Sequence, residues 1–163
     1  MQRFVRRLKT RQGFTLVELA VVIVIIGVLA AFGVPKFLAS VEKSKATESF
    51  NFWSAVQAAQ ERYIAQNGVY ATITDPTAPA VTTGNPLDIV LPKLQYFSFT
   101  SCAGTQGTDT TGGSTWLGTL TRISTSSSYG AYTVAWTQDG FSVANSTIPQ
   151  SISPVTGDAP AGN

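Results

Sequence analysis

Residues 13–35 read GFTLVELAVVIVIIGVLAAFGVP, and from Phe14 to Val34 these 21 positions hold a single charge, Glu18. A helix rises about 1.5 Å per residue, so a run of this length reaches about 30 Å, the thickness of a bilayer core. Leu, Val, Ile and Ala dominate, which leaves no polar face. A helix apolar all round needs lipid or a fully buried core. With 163 residues the chain has room for one domain and cannot enclose such a helix. The run is therefore read as membrane-inserted. Glu18 is the anomaly, because a carboxylate near the bilayer centre costs about 2.5–3.5 kcal/mol on insertion scales and marks a functional position by default.

Upstream, Arg3, Arg6, Arg7, Lys9 and Arg11 precede the first acidic residue, leaving six basic against nine acidic residues in the rest. A basic cluster ahead of an apolar span keeps the N-terminus cytoplasmic and sends the chain beyond Pro35 across the membrane. An ordinary secretory signal is the competing reading, with Val28-Leu29-Ala30 as its cleavage site and a secreted or membrane-anchored binding domain as its product. The length of the apolar run and the presence of Glu18 count against it.

Downstream of Lys36 the pattern turns amphipathic. Ala46, Phe50, Trp53, Val56 and Tyr63 recur at steps of three, four or seven, with Ile64 beside the last, the period of a helix with one apolar stripe. Phe50, Trp53, Val56 and Tyr63 are expected to pack on a sheet. Asn67-Gly68 supplies the stop. Residues 71–93, with Pro76, Pro79, Pro86 and Pro92, read as a long connection holding at most a short helical turn. Strands are expected at 96–102, 116–124, around Tyr132–Thr137 and at 141–144, with an Asp139-Gly140 hairpin turn before the last. Residues 104–115 are rich in Gly, Ser and Thr and read as a flexible loop, and the tail from Pro149 as extended or disordered. The predicted fold is α+β: one long helix, half transmembrane and half amphipathic, on a small antiparallel sheet.

Composition excludes most familiar chemistry. There is no histidine to serve a triad, a metal site or a proton shuttle, and the lone Cys102 permits no internal disulfide. Cys102 is expected to be a small buried hydrophobe, with a bridge between chains left open. Asp109 and Asp139 lie in no calcium loop, and residues 104–113 lack the end of a phosphate-binding loop, so neither metal nor cofactor is expected. Asn145-Ser146-Thr147 fits a glycosylation sequon, a weak pattern. Basic residues past position 35 are scattered. Their small cluster near the membrane suits lipid headgroups or neighbouring subunits better than nucleic acid.

Gly13-Phe14-Thr15-Leu16-Val17-Glu18, following a basic leader and opening a long apolar helix, resembles the processing site of type IV prepilins and pseudopilins. The resemblance continues through Gly27, Gly33 and Pro35 to about residue 70; beyond that it is one of layout. It implies that a dedicated prepilin peptidase and N-methyltransferase cuts after Gly13 and methylates the new terminus at Phe14. The parts would then be a leader (1–13), a transmembrane and assembly helix (14–35) and an external globular domain (36–163). Removing the leader creates an amine at Phe14, and a buried Glu18 carboxylate needs a cation. The resemblance implies pairing with the amine of a neighbouring subunit; pairing within one chain is the alternative. It also implies a non-enzymatic subunit held in the bacterial inner membrane, then polymerised by membrane assembly machinery into a surface filament. A type II secretion pseudopilin is the alternative within the family. Gly27, Gly33 and Pro35 weaken the helix, either as a place that melts and extends or as a static kink.

Overall fold

The computed structural model describes residues 13–105 and 113–155. It divides into two compact units between Phe37 and Leu38. A single helix, α1 (Leu16–Asn67), runs through that boundary.

In the first unit every side chain from Phe14 to Phe37 is exposed, and only Thr15, Glu18 and Lys36 break the apolar composition. The helix continues through Gly27, Gly33 and Pro35. A methyl group added at Gly27 or Gly33 would meet nothing within 4 Å, so neither glycine is required by packing within this chain. Pro35 sits inside the helix without an N–H to donate to the preceding turn.

In the second unit the amphipathic period of α1 produces its buried stripe: Glu42, Ala46, Ser49, Phe50, Trp53, Val56 and Gln60. Gly68, at φ +74°, ends the helix by taking the left-handed conformation, and its N–H bonds the Ile64 carbonyl at 2.8 Å. The sheet has four antiparallel strands in sequence order, β1 (Phe97–Thr105), β2 (Thr115–Arg122), β3 (Thr133–Thr137) and β4 (Gly140–Phe141). A register shift between Phe99 and Ser101 interrupts the β1–β2 ladder. Aromatic side chains knit the stripe to the sheet: Phe50 meets Trp136 edge-on at 5.4 Å, and Trp53 lies 5.9 Å from Trp116. Gly118 of β2 is where the Trp53 indole lies against the strand; a Cβ there would run into the ring.

The structure departs from the sequence reading in three places. Proline and glycine content suggested a loose tail from Pro149, yet Ile152 and Ser153 are buried and Val155 packs on the core. The cause is a turn at Pro149, whose carbonyl accepts from the N–H groups of Ile152 and Ser153. Residues 156–163 lie outside the described part. The 104–115 loop is shorter than its composition implied, because Gly104 and Thr105 pair with Trp116 and Thr115; residues 106–112 lie outside the described part. The fourth strand, Gly140–Phe141, is two residues rather than four.

Candidate processing and assembly segment

The chain before α1 has no regular structure at Gly13, Phe14 and Thr15, and Phe14 is 80% exposed. Thr15 is the N-cap residue. Its Oγ1 accepts from the Glu18 N–H at 3.2 Å, and Glu18 Oε2 accepts from the Thr15 N–H and hydroxyl, both at 2.8 Å. This is a reciprocal capping box, in which the side chains at N-cap and N3 satisfy each other's orphan donors. The carboxylate also stands at the positive end of the helix dipole. The structure thus joins Glu18 to Thr15, while Gly27, Gly33 and Pro35 lie further along the exposed apolar helix.

The remaining predicted positions fall in the second unit. Phe50, Trp53 and Val56 are buried in the core, and Tyr63 is half-buried against it. Cys102 is buried in β1, its thiol pushed up to about 12 by burial, so it is a neutral packing group. Asp139 accepts a hydrogen bond from Gln138, and Asp109 lies outside the described residues. The sequon is tied into the fold: Asn145 donates to Ser142, and the Thr147 hydroxyl bonds both Thr133 N–H and Oγ1.

One cluster was missed by the sequence reading. Glu42 of α1 is buried and faces Arg122 of β2, whose Nε donates to Oε1 at 2.6 Å and Nη2 to Oε2 at 3.3 Å. Ser127 and Tyr132 hydroxyls donate to the same Oε1 at 3.0 and 3.1 Å. Arg122 Nη1 also donates to the carbonyls of Tyr96 and Ile123. Burial pushes the Glu42 carboxyl up, but the Arg122, Ser127 and Tyr132 bonds and the Arg122 charge outweigh it and hold the pKa below its ordinary value. Burial first, then the Glu42 charge, pushes the Tyr132 phenol up. A second carboxylate, Glu48, accepts the backbone N–H groups of Gln95 and Tyr96 at 2.8 and 2.9 Å. Both carboxylates hold the sheet side to the helix rather than forming a reaction centre. The only available signal was that Glu42 falls four residues before Ala46, in line with the apolar stripe.

Residues 8–34 match the family model described as the prokaryotic N-terminal methylation motif. The chain is 35% identical over 82 residues to the type II secretion system core protein G of Vibrio cholerae, covering 45% of this chain and 56% of the relative. It is 34% identical over 74 residues to the type IV major pilin protein PilA of Myxococcus xanthus, covering 45% of this chain and 34% of the relative. With the type II secretion system core protein G of Klebsiella michiganensis it shares 31% identity over 96 residues, 54% of this chain and 68% of the relative. The chain therefore spans about half the length, or less, of the first relatives it matches.

Proposed function

Because the chain belongs to the type IV pilin and pseudopilin family, we propose that it is a structural filament subunit, cut after Gly13, methylated at Phe14 and polymerised through its apolar helix. The observation that carries this reading is the methylation motif at residues 8–34, whose described part runs into the N-terminal stretch of α1 where the apolar side chains from Leu16 to Phe37 are exposed. That surface needs lipid before assembly and the helices of other subunits after it. Packing of helices in a filament core would remove the exposed area from water at about 25 cal/mol per Å². In this reading residues 14–35 hold the subunit in the inner membrane with the leader on the cytoplasmic side.

The capping box gives Glu18 a holding partner before the cut. Cleavage then frees an ammonium at Phe14, and the carboxylate of an incoming subunit pairs with the Phe14 amine of its neighbour. Gly27, Gly33 and Pro35 are where α1 yields when subunits repack. The peptidase and methyltransferase, together with the inner-membrane assembly machinery, are the partners this requires. No catalytic role is assigned to the chain itself.

Mass spectrometry of the N-terminal peptide tests the proposal. The expected species begins with N-methylated Phe14; a mature chain beginning at Met1 or near Ala31 would falsify it. A second reading, a type II secretion pseudopilin, is favoured by the Klebsiella relative, 68% of which is covered. Deletion separates the two: loss of long surface filaments supports a pilus subunit, whereas loss of protein export supports the pseudopilin.

A further inference from the structure

We propose that Val81 of one subunit seats in the apolar groove beside β1 of the next, a contact that repeats from copy to copy; this rests on the filament reading above and deepens it. Val81 holds φ at +58°, in the left-handed region, where a β-branched side chain is a genuine outlier. The turn that imposes this conformation is pinned from within. The N–H of Val81 donates to the Leu87 carbonyl and that of Thr82 to the Asn85 carbonyl, both at 2.9 Å, and Leu87 and Asn85 are fully buried. Asn85 Nδ2 in turn donates to the Ile89 carbonyl at 2.9 Å. Glycine would take this conformation without strain. The valine side chain gains little within its own chain, because the residue is 75% exposed. Single exposed apolar residues are ordinary on a protein surface. A strained one is not, and strain that internal packing does not offset points to a contact outside the chain.

A matching socket lies on the same chain. A groove of about 540 Å³ is lined by Pro76, Leu91, Leu94, Phe97 and Phe99, with Lys93 as the one charged residue at it. Leu94 also borders α1 at Glu48–Phe52, whereas Val81 borders it at Arg62–Asn67. Those places are about 14 residues apart, or about 21 Å along the helix, so Val81 cannot fill the groove of its own chain. A second copy can. Arg62 and Asp88, which border the same hollow as Val81, hold each other in a bidentate pair, so no unpaired cation is brought against Lys93. A knob and a socket at different places on one chain make a heterologous contact, which repeats without closing and generates a helical filament. Copies inserted in one membrane point the same way, so the contact offsets neighbours by about 21 Å along α1. One valine is too small a contact to hold two copies alone. Bundled apolar helices bring the copies together, and Val81 then fixes their register.

The test uses the full chain, expressed in cells that carry prepilin assembly machinery, with the collected filaments treated with a short bismaleimide. Cys102 is buried, so cysteines added at the surface report alone. A chain carrying both Val81→Cys and Lys93→Cys should give a covalent ladder of dimers, trimers and larger species after denaturation. Each single variant should stay monomeric. Val81→Gly supplies a second readout that a purely structural role would not move. It relieves the backbone strain, so the chain in detergent should keep the denaturation midpoint of wild type or exceed it. Its assembled fraction at limiting subunit concentration should nonetheless fall about tenfold, the loss expected when one valine is no longer buried in a contact. Intact filaments of the double variant without a ladder overturn the proposal and leave the filament reading standing, as does a wild-type assembled fraction for Val81→Gly. Dimers from Val81→Cys alone would show that Val81 meets its own copy, which also overturns it. If the wild-type chain yields no oligomer of any kind, the filament reading fails and the contact fails with it.

Discussion

At the scale of single residues the Glu42–Arg122 pair carries the largest energetic stake. Both groups are out of water, and leaving one of such a pair alone costs about 3–5 kcal/mol. Glu42→Ala should therefore lower the unfolding free energy by about that much, measured by denaturant titration of the full chain in detergent with tryptophan emission as the probe. Replacing both partners by Leu and Met should recover only part of the loss, because the Ser127 and Tyr132 hydroxyls would lose the carboxylate oxygen to which they donate. The pH dependence has a definite sign. The folded Glu42 pKa lies below its ordinary value of 4.5, so its stabilisation is complete above that value and is lost as pH falls through the folded pKa. Wild type should lose stability below about pH 4.5, and Glu42→Gln should flatten that slope. Cys102 offers a separate check. With its thiol pushed up to about 12 and its side chain in the core, it should resist maleimide at neutral pH in the folded chain and react fully once denatured.

At the scale of elements, the close approach of α1 to β2 makes Gly118 a sensitive position in the sheet. Gly118→Ala places a methyl group into the Trp53 indole, which is fully buried. Overpacking of this kind costs about 1–3 kcal/mol. The variant should shift the denaturation midpoint down and alter the tryptophan emission, whereas Gly130→Ala, with open space around it, should show only the milder penalty of its positive φ. The helix stripe could be read from the chain because Ala46, Phe50, Trp53 and Val56 keep the helical period, and β3 could be read because Tyr132, Val134 and Trp136 alternate. Local periodicity reports which face is buried, but it does not report which distant residue will meet it. Glu42 and Arg122 are 80 positions apart, so their pairing is set by β-strand register and was invisible as a pair. Gly118 likewise reads as a weak strand residue until the indole above it is placed. The Pro149 turn misled for the opposite reason: composition favoured disorder, while Ile148, Ile152 and Val155 supplied an apolar set close enough in sequence to pack after one turn.

At the scale of the whole molecule, the capping box is the part of the candidate site that was legible in sequence as residue types and missed as a contact. Threonine followed three positions later by glutamate before an apolar run is a helix-start signature, whereas the resemblance to prepilins implies a partner for Glu18 on a neighbouring chain. The division of labour between the two units leads to a final expectation. From Phe14 to Leu38 every side chain is exposed, and the hydrophobic core takes its first contact from Ala39 onward. The globular unit therefore owes its core, its buried ion pair and its sheet to residues that follow Phe37. Expressed alone, residues 38–163 should be soluble without detergent and keep the three core tryptophans buried. Their unfolding free energy should lie within about 1 kcal/mol of the globular transition in the full chain, since only a frayed helix end is added. The full chain should instead require detergent or lipid, because its apolar helix has no cover of its own. A soluble full chain would mean that the helix finds cover within the molecule, and an unfolded 38–163 would mean that the first unit supports the second. Comparing both chains by sedimentation and denaturant titration distinguishes these outcomes, and it does so independently of whether the Gly13–Phe14 bond is cut.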